Sequence, residues 1–325
     1  MFAQPVWRNG PTALLALLAA LAVCLPASAE TIYATSISTG IIYSDNTVTH
    51  VVTPVFNTGN DLDSLFFDPS GRIIYDELDA GRVLAYNPAK GTNVTLFSQS
   101  GSQPIDLALE PGLTSFLVSD ANNDQLDRIS LSGGLINRLN VLYASGQAGR
   151  PDGIIYSPTG QLFVNVSTGF TNTPTHIEQI DPTTGAILHT GTITGIFLDG
   201  LTYDKSTGML WAADYNNGRV VEINPNNLSD FTVFKPTGAT IANGGPDGIV
   251  SDGQGNLFIA SRANNTIIQY DIATNTATAV GTVDGLDDLA PASGLGAPVP
   301  EPSSIVLLSI GGLGMLAYRL RRRSA

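Results

Sequence analysis

Pro246-Asp247-Gly248-Ile249 opens a stretch that continues through Asp252-Gly253-Gln254-Gly255, Leu257-Phe258-Ile259-Ala260 and Ile268-Gln269-Tyr270-Asp271. A short apolar strand follows the aspartate, a glycine-bearing turn follows the strand, and a second apolar strand leads into a polar turn and a third strand. The opening phrase recurs as Leu62-Asp63-Ser64-Leu65, Ile105-Asp106-Leu107, Pro151-Asp152-Gly153-Ile154, Leu198-Asp199-Gly200-Leu201 and Leu286-Asp287-Asp288-Leu289. Its aspartates are spaced by 43, 46, 47, 48 and 40 residues, which makes the chain a repeat protein.

Each repeat continues alike. Second strands such as Leu210-Trp211-Ala212-Ala213 run into polar turns such as Asp214-Tyr215-Asn216-Asn217-Gly218-Arg219 or Glu77-Leu78-Asp79-Ala80-Gly81-Arg82. Third strands end at Asn87-Pro88, Asp181-Pro182 or Asn224-Pro225, and a fourth strand is rich in Thr, Ala and Val, as in Ala277-Thr278-Ala279-Val280. Four short strands per 40 to 48 residues, separated by Gly, Asn and Pro turns, predict one blade of a β-propeller. The first unit begins at Ile32-Tyr33-Ala34-Thr35, a second-strand sequence, so it lacks an innermost strand, while Leu286-Asp287-Asp288-Leu289 is an inner strand with no blade after it. The expected fold is therefore all-β: a six-bladed propeller over 30–290 whose first blade is closed by both chain ends, which removes exposed strand edges.

The order Pro-Asp-Gly-Ile, Gly-Asn-Leu-Phe-Ile-Ala, polar turn, Ile-Gln-Tyr-Asp at 246–271 resembles the repeat of NHL-type and gluconolactonase-like six-bladed propellers. The gluconolactonase-like resemblance implies a divalent cation in the channel, held by a Glu, an Asn and an Asp from different blades. Asp152 and Asp247 match the Asp in its Pro-Asp-Gly setting; the inner-strand positions of the Asn and Glu carry Asp here.

Asp63, Asp106, Asp152, Asp199, Asp247 and Asp287 are expected together at one mouth of the channel. Two carboxylates about 8 Å apart repel by roughly 2 kcal/mol at an effective dielectric near 20, so such a ring needs an offset. Either a Ca²⁺-like cation bridges the oxygens, or each Asp accepts backbone N–H bonds from its own turn or the next blade. Glu77, Asp120, Asp214 and Ser261 end second strands and are expected to brace the adjoining turns. Blade four has Val166 at that position and an insertion at 167–175 containing Phe170, a place where a repeat fold can bind. His50 and His189 fall on expected outer strands and His176 near the start of a third strand; the sequence has no Gly-x-Ser-x-Gly, HExxH or phosphate-cradling loop.

At the N-terminus, Arg8, an apolar run at 13–25 and Ala27-Ser28-Ala29 predict a cleaved signal peptide at 1–29. After a linker at 291–298, the segment 299–325 carries Val299-Pro300-Glu301-Pro302, an uncharged run at 303–318, and Arg319, Arg321, Arg322 and Arg323. Motif, apolar run and arginine cluster in this order resemble the PEP-CTERM sorting tail. The run is a little shorter than the ~20 residues of a comfortable span, and the arginines favour the cytoplasmic side. The resemblance implies a transmembrane sorting helix, transient anchorage in the inner membrane, cutting by an exosortase and delivery to the cell surface or beyond. Exopolysaccharide-producing envelopes usually accompany such tails, which implies an exopolysaccharide or a matrix protein as partner.

Residues 30–298 hold 10 basic and 27 acidic side chains, a net charge of −17, which excludes the basic footprint of a nucleic-acid binder. Cys24 is the sole cysteine, so the expected mature domain has no disulfide, thiol nucleophile or thiolate site. The resulting expectation is an exported, non-catalytic binding or scaffold module. The rival is a metal-dependent lactonase, hydrolase or lyase of the gluconolactonase-like kind.

Overall fold

The computed structural model describes residues 31–141, 149–168 and 174–291. The expected signal peptide, the sorting tail and most of the insertion around Phe170 lie outside the described residues. Within them, six antiparallel sheets each contribute four strands of one blade. Blade two, for example, orders Leu65–Phe67, Ile73–Glu77, Arg82–Asn87 and Thr92–Ser98 from the axis outward. In blade one the innermost strand is Leu286–Pro291, paired antiparallel with Thr31–Ser36. Blade six carries an extra outer strand, Thr237–Gly238, which adds in parallel to Thr276–Thr282.

Hydrophobic residues are buried between blades rather than under a single sheet. Six clusters fill the six junctions, so second strands such as Ile73–Glu77 and Leu162–Ser167 are buried on both faces and read as continuous apolar runs. The junction of blades five and six packs Trp211, Val220 and Ile241 against Ile249, Leu257 and Tyr270. The two junctions of blade one use residues from both ends of the propeller: Ile32 with Leu286 and Leu289 on one side, Ile42 with Ala290 on the other. Each fully buried aliphatic contributes roughly 1.5–3 kcal/mol.

The turns between second and third strands face the channel mouth where the aspartates lie. They need a left-handed residue packed against the next connection. Gly81 (φ 58°) and Gly218 (φ 58°) fill that place, where a Cβ would lie within 2.4 Å of Gln99 O or 2.3 Å of Ile241 O. His50, expected on an outer strand, instead ends the turn before Val51–Asn57 with φ 55°; the bonds from Val48 and Thr49 N–H to Asn46 Oδ1 shape that turn. Outer strands are interrupted by register shifts, as opposite Ile42/Tyr43, Val83/Leu84 and Arg128/Ile129, and these bulges blunt edges that would otherwise pair with another chain.

Candidate functional site at the channel mouth

Inner strands carry an irregularity at the repeat aspartate, and its register corrects the sequence alignment. Pro151 pairs with Val166 and Ile154 with Val164, so Asp152 and Gly153 together oppose one residue. Leu198/Leu201 and Pro246/Ile249 repeat the shift, placing Asp199-Gly200 and Asp247-Gly248 likewise. In blade three Pro104 pairs with Asp120, Asp106 with Ser119 and Leu107 with Val118. Asp106 is therefore not the equivalent of the other five aspartates. It occupies the following position, shared with Ser64, Gly153, Gly200, Gly248 and Asp288, while Ile105 takes the aspartate's place.

The two positions do different work. The second one packs each inner strand against the next, all the way round the channel. Asp106 Oδ1 accepts from Ser64 Oγ at 3.0 Å and Leu107 N–H at 2.7 Å, and its Oδ2 accepts from Ile154 N–H of the next blade at 2.7 Å. A Cβ on Gly153 would sit 2.7 Å from Leu201 N, one on Gly200 2.8 Å from Asp247 O, and one on Gly248 2.7 Å from Asp288 Cα. Asp288 accepts from Leu289 N–H at 2.7 Å and contacts Ser64, which closes the circuit. Gly153 and Gly200 are required where the neighbouring backbone arrives, whereas Asp106 caps the neighbouring Ile154 N–H and Ser64 donates to Asp106.

The first position faces the channel. Asp199 and Asp287 are each neighbours of Asp247, and Asp152 of Asp199, while Asp152 Oδ2 and both oxygens of Asp287 are buried and accept no hydrogen bond from the described residues. Neighbouring carboxylates disfavour each other's charged form. Removal from water, then the neighbouring carboxylates Asp247, Asp152 and Asp287, holds Asp199 well above the ordinary range. Asp63 and Asp287 are raised in the same way, burial first, and Asp106 and Asp152 are pushed by burial up to about 7. Two guanidiniums offset the rest of the charge. Arg262 Nη1 lies 2.9 Å from Asp247 Oδ2 and 2.8 Å from Asp287 Oδ1, and Arg150 Nη1 lies 3.7 Å from Asp152 Oδ2. Tyr215 stands by this cluster, its hydroxyl pKa raised first by burial and then by Asp247.

Backbone donors hold Asp106, as expected of one alternative, whereas Asp152, Asp247 and Asp287 face arginines. Arg262 follows the second strand of its blade on a short 3-10 turn, Arg262–Asn264.

A second tier stitches the mouth together. Thr35 Oγ1 donates to Asp63 O, Ser119 Oγ to Asp152 O at 2.6 Å, and Asn165 Nδ2 to Leu198 O at 3.2 Å, each reaching the next blade. Asp76, at the matching position, instead accepts from the Asp63 and Ser64 N–H groups of its own blade at 3.0 and 3.1 Å. Glu77, Asp120, Asp214 and Ser261 brace turns. Glu77 pairs with Arg82, Asp120 takes Gln103 N–H at 3.0 Å, Asp214 takes Arg219 Nε at 2.7 Å, and Ser261 Oγ takes Ala242 N–H at 3.0 Å. His176 lies at 3.2 Å from Thr192 Oγ1 and His189 sits on the outer strand Ile187–Ile193, so neither shares an inner strand with the carboxylates.

The donor set does not suit the divalent cation that the gluconolactonase-like resemblance implies. Arg262 already occupies the contact point between Asp247 and Asp287, and among the described residues no group of three or more His, Cys, Asp or Glu is disposed to hold a metal.

A family model described as the PEP-CTERM protein-sorting motif matches residues 298–323. No curated protein matches the chain. Among solved structures, one chain of a nidogen/laminin complex superposes with a TM-score of 0.65 at 19% identity, covering 81% of this chain and 98% of that one. A streptogramin B lyase gives 0.59 at 14% identity, covering 82% and 89%. The virginiamycin B lyase of Staphylococcus aureus gives 0.52 at 18% identity, covering 67% and 69%. These similarities establish the fold. The chain is a six-bladed propeller with a PEP-CTERM sorting motif, which implies export through a membrane-anchored intermediate and processing by an exosortase.

Proposed function

We propose that the propeller is a non-catalytic binding or scaffold module of the cell surface or extracellular matrix, and that its partner, an exopolysaccharide or a matrix protein, engages the aspartate mouth. The observation that carries this reading is the commitment of the mouth's ionisable groups. Arg262 is shared by Asp247 and Asp287, and Asp199 lies in contact with Asp247. A general base or metal ligand must be free to engage its substrate, whereas the one guanidinium of Arg262 pairs with both Asp247 and Asp287. Tyr215 and Arg262 supply an aromatic face and a guanidinium of the kind that recognises sugars and peptides.

The rival reading, a lactonase, hydrolase or lyase, draws on the lyases of similar fold. One experiment separates the two. Binding of the processed protein to isolated exopolysaccharide and to matrix proteins is measured by surface plasmon resonance, alongside turnover of lactones and streptogramin B with Ca²⁺ or Mg²⁺ supplied. The proposal expects saturable binding weakened by Tyr215→Ala and no turnover. Turnover that depends on added metal and disappears in Asp247→Asn would replace it with the enzyme.

A further inference from the structure

The register of blade one fixes where the polypeptide leaves the propeller. Leu286 pairs with Ser36 near the aspartate mouth, and Pro291 pairs with Ile32 at the other end of the same two strands. Both connections to the remaining chain, before Thr31 and after Pro291, therefore sit side by side at the channel opening away from the aspartates. All six inner strands run in one direction, from the aspartate mouth toward this opposite face. Turns between first and second strands, such as that holding Gln254, and between third and fourth strands, such as that holding Ala89, share the exit face. Turns between second and third strands, holding Ala80 and Asn122, ring the mouth.

The chain continues for 11 residues, 292–302, before the uncharged run of the sorting segment. Fully extended, 11 residues reach at most roughly 36–40 Å, and this tether is attached next to the propeller axis. We infer that the anchored protein stands with its exit face toward the membrane and its aspartate mouth outward, so that the mouth is the surface offered to partners. The mouth then points away from the phospholipid head groups. This orientation follows from strand register and tether length and stands whether the mouth binds or catalyses.

The test uses the full chain, isolated uncut from an exosortase-deficient host on a Cys24→Ser background and reconstituted in phosphatidylcholine vesicles with an acceptor dye on a lipid head group. A donor dye is placed at Ala80→Cys or Ala89→Cys, exposed turn positions at opposite ends of blade two. The labels differ in height by about one strand length, roughly 20 Å, so transfer from position 89 should exceed that from position 80 by about twofold or more. Asn122→Cys and Gln254→Cys, in blades three and six, should repeat the order with position 254 the higher. Equal transfer within both pairs, or a reversed order, would overturn the orientation.

Discussion

Asp106 and Ile154 lie 48 residues apart in different blades, yet the Asp106 carboxylate caps the Ile154 N–H at 2.7 Å. The same carboxylate accepts from Leu107 N–H and Ser64 Oγ, so one side chain ties three consecutive inner strands together. Asp106→Ala leaves two backbone donors without a partner and is expected to cost about 1–3 kcal/mol, read as a lower urea midpoint.

A carboxylate of the channel ring should behave differently. Asp199 holds no backbone amide and its charged form is disfavoured, first by removal from water and then by Asp247, Asp152 and Asp287. Asp199→Asn mimics the protonated form and is expected to leave the thermal midpoint at pH 8 unchanged or raised. A loss comparable to that of Asp106→Ala would show that Asp199 has a partner of another kind.

The packing circuit makes its own forecast. Gly248→Ala would drive a methyl group to 1.7 Å from Asp288 Oδ1 and 2.7 Å from Asp288 Cα, a collision with the strand that closes blade one. Loss of cooperative unfolding or aggregation is expected. Gly112→Ala, whose new methyl would find nothing nearer than 3.9 Å, serves as the control and should unfold like the parent.

Stability should depend on pH with an unusual sign. Asp106 and Asp152 are raised to about 7 by burial, and Asp63, Asp199 and Asp287 are raised well above the ordinary range, also by burial first. A carboxyl raised on folding stabilises the fold below its unfolded pKa, and that contribution is lost as pH climbs through the folded value. The thermal midpoint is therefore expected to fall between pH 5 and pH 8, by on the order of 5–10 °C. Asp68 and Asp204 act oppositely: burial is outweighed by bonds from Ser70 and Arg72, and from Ser206, Ser251 and Thr207. Their contribution is lost at pH below the ordinary aspartate range, so a maximum near pH 4–5 is expected. Scanning calorimetry across pH 3–9 checks both limbs.

Much of this architecture was legible in the residues. Repetition of the aspartate phrase gave the blade period, and Leu286-Asp287-Asp288-Leu289 had the sequence of an inner strand without a blade. What escaped was register. Ile105-Asp106-Leu107 and Pro151-Asp152-Gly153-Ile154 look interchangeable in spacing, but a shift of one residue turns a side chain from the channel to the neighbouring blade, and only the pairing partners Ser119 and Val166 reveal it. Arg262 escaped for a different reason. Residues at its place in other blades include Leu78 and Ala121 as well as Tyr215, so no periodic signal marks it, and its importance arises from the carboxylates it meets on its own inner strand and on that of the adjacent blade.

On the proposed reading, protons and arginines rather than a divalent cation offset the charge of the aspartate mouth. Isothermal titration of the metal-stripped, processed protein with Ca²⁺ and Mg²⁺ at pH 7 is the decisive measurement. No stoichiometric binding is expected in the parent protein, and a site should appear, if anywhere, only after Arg262→Met vacates the contact between Asp247 and Asp287. Tight one-to-one binding by the parent protein, abolished by Asp247→Asn, would contradict it.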